Sequence, residues 1–144
     1  VSAWAQPHAE CAHNLNYWRF GDYLGIGAGA HAKVTQADGN ILRLAKKKAP
    51  AHYLRDAYST NIYASQEHVS PKELGFEYML NRLRLSEPFS AHELTLYTGL
   101  TSDDINPALQ KAVTQSLLEY KNGYWQRTKL GALHLNQLLS LFLP

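Results

Sequence analysis

The chain has 144 residues, with 14 lysines and arginines against 12 aspartates and glutamates, and a formal net charge of +2. A charge this close to neutral does not create the positive field that favours nucleic acid or anionic lipid. The single cysteine excludes a disulfide framework, and also a metal site made of several thiolates, within this chain. The length is enough for one hydrophobic core, or for one core plus an appendage.

The first residues, Val1–Ala5, carry neither an initiator methionine nor the basic region of a signal peptide. We therefore expect the chain to be a truncated piece of a longer protein. No run approaches the roughly 18 apolar residues that a membrane span requires. The predicted location is cytoplasmic.

Residues 1–46 are rich in glycine and aromatic residues and are predicted to be strand-like. The stretch His13–Trp18 mixes polar and aromatic side chains without a helical period of apolar residues. Aromatic rings with polar tips are typical of a wall that holds a flat ligand. Further on, an Asp-Gly turn at Asp38–Gly39 predicts a hairpin between strands at 34–36 and 41–44.

The segment Gly25–Ala30 formally matches the glycine fingerprint of dinucleotide-binding proteins. That fingerprint requires a following helix, whereas His31–Thr35 is strand-like, so we reject a Rossmann domain. Glycines alternating along a strand mark the close approach of another backbone or of a ligand. Both interpretations stay open for these residues: Gly25, Gly27 and Gly29.

Residues 47–69 are interpreted as a polar connector, with a helix over 51–58 after Pro50. From residue 70 the apolar period becomes helical. Ser70, Pro71 and Glu73 form a strong helix start, with a capping serine and proline at the first helical position. Residues 70–144 are therefore predicted to be a separate, mostly helical domain.

The later elements of this domain follow the order short helix, helix, hairpin and final helix. Gly99 should end the helix over 90–97, Asn122–Gly123 should form the hairpin turn, and Thr128 should begin the last helix. This order predicts a winged-helix-like domain. The side chains expected to face its core are Phe76, Met79, Leu80, Leu83, Ile105, Leu109, Ala112, Val113, Leu117, Leu135, Leu138, Leu139 and Phe142.

A winged helix suggests DNA binding, but its charges argue against that function. The presumed recognition helix begins near Asp103 and Asp104, whose carboxylates repel phosphate. The hairpin region offers only three cations: Lys121, Arg127 and Lys129. We predict a packing or docking module without a nucleic-acid partner.

Four motifs together carry a resemblance to one family: Cys11–Trp18, Asp22–His31, Phe76–Leu85 and Leu135–Leu139. They resemble the C-terminal portion of radical SAM proteins related to oxygen-independent coproporphyrinogen III oxidase. The His-Asn-x-x-Tyr-Trp signature at 13–18 resembles the HemW-type heme-chaperone branch. The resemblance covers essentially the whole chain.

The resemblance implies an α+β fold, in which residues 1–46 are the last strands of a partial (β/α) barrel and 70–144 the C-terminal domain. The family's Cys-x-x-x-Cys-x-x-Cys motif, which holds a 4Fe-4S cluster and S-adenosylmethionine, lies in the barrel half that this chain lacks. One cysteine cannot hold such a cluster. This chain alone is therefore expected to be inactive in radical chemistry, and the N-terminal barrel half is its expected partner.

The resemblance also assigns residues to S-adenosylmethionine and its substrate. Trp4 and Ala5 are similar to a family segment that borders the adenosyl group. The glycines Gly25, Gly27 and Gly29 resemble the closing strand of the barrel, beside the cofactor and substrate space. They are candidates for the wall of that space.

The strongest hypothesis concerns heme. A neutral imidazole suits heme iron, so His13 is the candidate axial ligand, while Tyr17 and Trp18 are placed to flank the porphyrin beside Asn14. Cys11 is the alternative thiolate ligand. The competing interpretation is that these side chains only pack and hydrogen-bond with neighbouring loops.

Two functions remain for the parent protein: a heme chaperone that delivers heme to an acceptor protein, and an oxidase that converts the propionates of coproporphyrinogen III to vinyl groups. The His-Asn-x-x-Tyr-Trp signature favours the chaperone, which would associate peripherally with a membrane. A third alternative is an interaction domain without a ligand. Unpaired strand edges left by a cut barrel favour a homodimer.

Overall fold

The computed structural model describes residues 5–6 and 9–144. Trp4, predicted to border S-adenosylmethionine, lies outside the described residues. The described chain mixes helices with two three-stranded sheets, which confirms the α+β class. The described residues divide into two compact units, one of residues 5–6, 9–21 and 71–144 and the other of residues 22–70. From sequence, the boundaries were predicted at 46 and 69.

The unit of residues 22–70 is built on an antiparallel sheet. Its strands are β1 (His31–Thr35), β2 (Ile41–Lys46) and β3 (Tyr63–His68), in that spatial order. Gly39 has a φ of +85° in the turn between β1 and β2, so the predicted hairpin is confirmed. Helix α2 (Pro50–Arg55) lies between β2 and β3. The segment interpreted as a connector thus supplies a strand to this sheet.

The other unit adds α1 (Ala12–Trp18) to the elements that follow residue 70. Those elements are α3 (Pro71–Arg82), β4 (Phe89–Ser90), α4 (Ala91–Thr98), α5 (Asn106–Thr114), β5 (Leu118–Lys121), β6 (Tyr124–Arg127), α6 (Lys129–Leu133) and α7 (Leu135–Ser140). The three strands pair antiparallel, with β6 between β4 and β5.

The predicted ends of α4 and the predicted hairpin turn of this unit are confirmed. Ser90 caps α4 in a capping box with Glu93, and Gly99 ends the helix with a φ of +72°. Asn122 and Gly123 both have positive φ values in the β5–β6 turn, as the tightest hairpin turns require.

The core of this unit combines aliphatic side chains with a chain of aromatic rings. Phe20 contacts Tyr78 edge to face at 5.7 Å, Tyr78 contacts Phe89 at 6.2 Å, and Phe89 stacks on Trp125 at 5.7 Å. The predicted core residues that are buried are Met79, Leu83, Leu109, Ala112, Leu117, Leu138, Leu139 and Phe142. Phe76, Leu80, Ile105, Val113 and Leu135 are only half-buried.

Three local predictions were wrong. His13–Trp18 lies on α1 and not in a strand-like segment, because Leu15 and Trp18 repeat at helical spacing among polar residues. The glycine segment Gly25–Ala30 forms no strand, since Gly27 and Gly29 adopt positive φ values in a turn. The final helix is interrupted at His134, which separates α6 from α7.

The sequence predicts no membrane-spanning segment, and the length and apolar character of the helices test this. Among residues 5–6 and 9–144, no helix is both long and apolar enough to cross a bilayer.

Candidate functional site

Two contacts fix helix α1 on the rest of its unit. Arg19, directly after the helix, donates from Nε and Nη2 to the two carboxylate oxygens of Glu87, at 2.9 and 3.0 Å. Phe20 is buried with a φ of +65°, a conformation that a bulky residue adopts only when packing holds it, and here it packs against Tyr78. The polar and aromatic side chains of α1 are therefore presented in a defined orientation.

The ion pair between Arg19 and Glu87 should make the stability of this unit depend on pH. Its hydrogen bond with Arg19 lowers the pKa of the Glu87 carboxyl below its usual range. In the unfolded chain this carboxyl has its ordinary pKa and binds a proton more readily. The stability that the ion pair adds to the folded chain is therefore complete above the ordinary glutamate pKa, and it is lost as the pH falls through the lowered pKa of Glu87. We expect Glu87→Gln to reduce the change in unfolding free energy between neutral and acidic pH by at most about 1 kcal/mol, because the pair is partly exposed.

The measurement is urea unfolding at pH 7 and pH 3.5 for wild type and Glu87→Gln. Glu119→Gln is the matched control, because Glu119 is an exposed glutamate of the same unit. If the control flattens the pH profile as much as Glu87→Gln does, the pair with Arg19 is not the cause.

Helix α1 separates the predicted heme residues onto two faces. His13 is exposed, and its ring lies 4.8 Å from that of Tyr17, edge to face, one helical turn away. Trp18 follows His13 by five residues and therefore lies about 140° around the helix from it. Asn14 and Trp18 share the second face, which turns toward a cleft.

The cleft has a volume of about 330 Å³. One wall comes from Ala5, Ala9, Glu10 and Cys11 together with α1, and the other from the turn between α3 and β4 together with β6. Its lining residues are Ala5, Ala9, Glu10, Cys11, Asn14, Leu15, Trp18, Arg84, Leu85, Ser86 and Arg127. The structure thus brings together four of the predicted site residues, Ala5, Cys11, Asn14 and Trp18, while His13 and Tyr17 are not in the lining.

The cleft carries two guanidinium groups against one carboxylate. Arg84 Nε donates to the main-chain oxygen of Leu80 at 3.1 Å, and Arg127 donates to that of Leu83 at 2.7 Å. Among the described residues neither arginine forms an ion pair, so carbonyl oxygens are the acceptors that orient both charges. Burial lowers the pKa of Arg127, because desolvation disfavours its charged form. Glu10 is the acidic residue of the lining.

The three candidate glycines have structural constraints of their own. A Cβ atom on Gly25 would lie 2.1 Å from the main-chain oxygen of His31, which explains glycine there without a ligand. Gly27 and Gly29 have φ values of +106° and +71° in a turn. Their role in an S-adenosylmethionine wall stays a prediction.

Metal-binding capacity is tested by clusters of ligand residues. In the part of the chain that the structure describes, no group of three or more His, Cys, Asp or Glu side chains could hold a metal ion. Cys11, the one cysteine of the sequence, is exposed at the start of α1. A single thiolate or imidazole can still ligate heme iron, whose other ligands are the porphyrin nitrogens.

Sequence reasoning missed Arg84 and Arg127 as site residues. Arg84 was read as part of a helical motif, and Arg127 only as one of three cations in the hairpin region. Their convergence depends on the packing of the α3–β4 turn beside β6, where Arg127 reaches Leu83 across 44 residues of sequence. The signal in the sequence is the basic pair Arg82 and Arg84, two residues apart at the end of the motif Phe76–Leu85.

Comparison with known proteins yields one family model and several relatives. Residues 69–134 match the model described as the HemN C-terminal domain. Over 143 residues the chain is 48% identical to the heme chaperone HemW of Escherichia coli strain K12, covering 99% of this chain and 37% of that relative. It is 43% identical to the heme chaperone HemW of Haemophilus influenzae, covering 99% of this chain and 36% of that relative. The chain thus spans a little over a third of the length of these curated relatives.

One solved structure resembles the fold. It is described as coproporphyrinogen III oxidase (HemN) from Escherichia coli, a radical SAM enzyme, and it matches with a TM-score of 0.58 and 14% sequence identity. The match covers 85% of this chain and 28% of that chain. At this identity the likeness concerns the fold alone.

Proposed function

We propose that this chain is the C-terminal part of a heme chaperone of the HemW-type family of radical SAM proteins, which binds heme and delivers it to an acceptor protein. The observation that carries the proposal is the 48% identity to a heme chaperone over nearly the whole chain. The exposed imidazole of His13 supports it, because a ligand that must be handed over has to be reachable by its acceptor.

The iron ligand in this proposal is His13. An exposed histidine with an aromatic ring 4.8 Å away offers one axial nitrogen and an apolar neighbour for the porphyrin edge. Cys11 is the competing ligand, on the face of α1 that lines the cleft. Because the two residues belong to different faces, their substitution separates the two binding modes.

Titration of hemin into the purified chain, followed by the Soret band, tests the proposal. We expect a saturable, shifted band that His13→Ala removes or weakens by at least about tenfold, the loss of one coordinate bond being worth more than about 1.4 kcal/mol. His92→Ala is the matched control, since His92 is also exposed and lies near the start of α4.

Cys11→Ala is measured beside it. If Cys11→Ala removes the band and His13→Ala does not, heme binding stands but the ligand is the thiolate. A band that neither variant changes contradicts heme ligation by α1.

The finer fold assignments belong to the same proposal. The succession α3, β4, α4, α5, β5, β6, with β6 central in the sheet, supports a winged-helix-like C-terminal domain. The strands β1 and β2 are proposed to be remnants of the radical SAM barrel. S-adenosylmethionine and a 4Fe-4S cluster, which supply radical chemistry in such proteins, would be held by the rest of the protein, since one cysteine cannot hold the cluster.

The partners of the whole protein are proposals as well. We propose that the N-terminal barrel half completes the fold, and that the heme acceptor meets the protein in the cytoplasm, at a membrane surface to which the chaperone binds peripherally. The outer strand β3 of the sheet has an edge that can pair with another chain, whereas the outer edge of β1 is bridged by Tyr23, so a homodimer through β3 is proposed for this chain alone.

A further inference from the structure

The cleft beside α1 has properties that the proposed His13 site does not use. It combines the indole of Trp18 with two arginines, and its volume of about 330 Å³ falls at the lower end of small-molecule sites. A whole porphyrin is larger than that, but one edge of the macrocycle with its acidic substituents is not.

The two arginines are suited to carboxylates. A guanidinium group presents several N–H donors in one plane and binds a carboxylate through two parallel hydrogen bonds. Arg84 and Arg127 each direct one N–H to a main-chain oxygen, which restrains the side chain and leaves further donors on the same group. Among the described residues of the lining, Glu10 is the one that carries an opposing charge.

Partial burial strengthens the preference of these arginines for carboxylates. Arg127 is half-buried, so part of its hydration is already removed before any ligand arrives. An anion that reaches it replaces the lost hydration in a medium where charges interact more strongly than in water. Trp18, also half-buried, adds a flat apolar surface next to the two charges.

Resting on the proposed function for the class of ligand, we propose that this cleft binds the propionate carboxylates of a porphyrin through Arg84 and Arg127, with the macrocycle against Trp18. The site is separate from His13, which lies about 140° around α1 from Trp18. It recognises the acidic edge of the porphyrin and does not require iron.

Iron-free protoporphyrin IX is therefore the probe, and its fluorescence is titrated with the whole chain. We expect saturable binding that Arg84→Gln and Arg127→Gln each weaken about tenfold, as the loss of a charge-assisted hydrogen-bond pair does. The dimethyl ester of the same porphyrin, which has no free carboxylate, should bind about a hundredfold more weakly. Lys129→Gln, an exposed cation two residues beyond Arg127, should bind as the wild type does.

Arg127 also contacts Leu83, so Arg127→Lys and the thermal unfolding of every variant are measured as well. Arg127→Lys keeps the charge and should recover part of the affinity. Arg84→Gln provides an independent test on the other side of the cleft. Equal binding of the acid and the ester, or wild-type affinity in both glutamine variants, overturns the proposal.

The same experiment separates this inference from the proposed function. His13→Ala should leave protoporphyrin affinity unchanged while it removes the part of the hemin Soret shift that comes from iron ligation. If the Soret band depends on His13 but Arg84→Gln and Arg127→Gln leave protoporphyrin affinity unchanged, the cleft site is overturned and the proposed function stands. Competition by succinate at the same concentration as the porphyrin would show that any small dicarboxylate suffices, and would overturn the assignment to a porphyrin.

Discussion

Phe89→Ala should destabilise the unit formed by α1 and residues 71–144 by about 3 to 5 kcal/mol, the usual cost of removing a buried phenylalanine ring. The Phe89 side chain is 2% exposed and stacks on Trp125 at 5.7 Å. It also meets Tyr78 at 6.2 Å and lies below the guanidinium of Arg82 at 5.8 Å. One truncation therefore opens a cavity between α3 and the sheet and removes three ring contacts.

Urea unfolding followed by tryptophan fluorescence and circular dichroism measures this effect. The total stability of a domain is about 5 to 15 kcal/mol, so a loss of this size should move the midpoint strongly. Tyr124→Ala is the control on the same sheet. Tyr124 is about half exposed, and its loss should cost less than about 1 kcal/mol. Equal losses in the two variants would contradict a core role for Phe89.

The C-terminal elements could be predicted from sequence because their signals are local. Ser90 and Gly99 bound α4 through capping and a left-handed backbone, and Asn122–Gly123 fixes the hairpin turn by positive φ values. None of these signals depends on a distant residue. The break at His134 has no comparable signal, since neither glycine nor proline stands there.

Helix α1 could not be predicted in the same way. It has seven residues, and an isolated helix of that length is not stable in water. Its C-terminal end is held by the contacts of Arg19 with Glu87 and of Phe20 with Tyr78, more than fifty residues later in the sequence. Polar residues also occupy most of its positions, which hides the helical period of Leu15 and Trp18.

The candidate site was predictable only in its first half. The sequence identified Cys11, Asn14 and Trp18 from their motif, and the structure places them on one cleft. Arg84 and Arg127 join them because a turn and a strand from a distant segment pack beside α1. His13 and Tyr17 belong to the same motif yet lie on another face, since a helix turns about 100° per residue. A linear motif does not reveal such a division.

Replacement of Arg82 should have the second largest effect on stability and should also disturb the cleft. Its guanidinium is buried, donates to the main-chain oxygen of Pro88 at 2.7 Å, and lies 3.3 Å from a carboxylate oxygen of Glu87 and 3.6 Å from one of Glu93. Arg82→Met keeps the volume but leaves these acceptors without their cation. We expect a loss of about 2 to 3 kcal/mol, below the range for fully buried pairs because both carboxylates are partly exposed.

Arg82 should also affect porphyrin binding, because it lies next to the turn that lines the cleft. Arg82 holds the chain at 87–88, directly after the turn that carries Arg84, Leu85 and Ser86 into the cleft. Arg82→Met should therefore weaken protoporphyrin binding, although Arg82 does not line the cleft. Arg82→Lys should give an intermediate result, because lysine keeps the charge but lacks the planar set of N–H donors of a guanidinium group. Arg55→Met is the contrast: Arg55 is exposed beside Asp56, and its loss should leave both stability and porphyrin affinity nearly unchanged. If Arg82→Met lowers stability but not affinity, the turn keeps its geometry without this arginine, and the cleft is held by α1 and β6 alone.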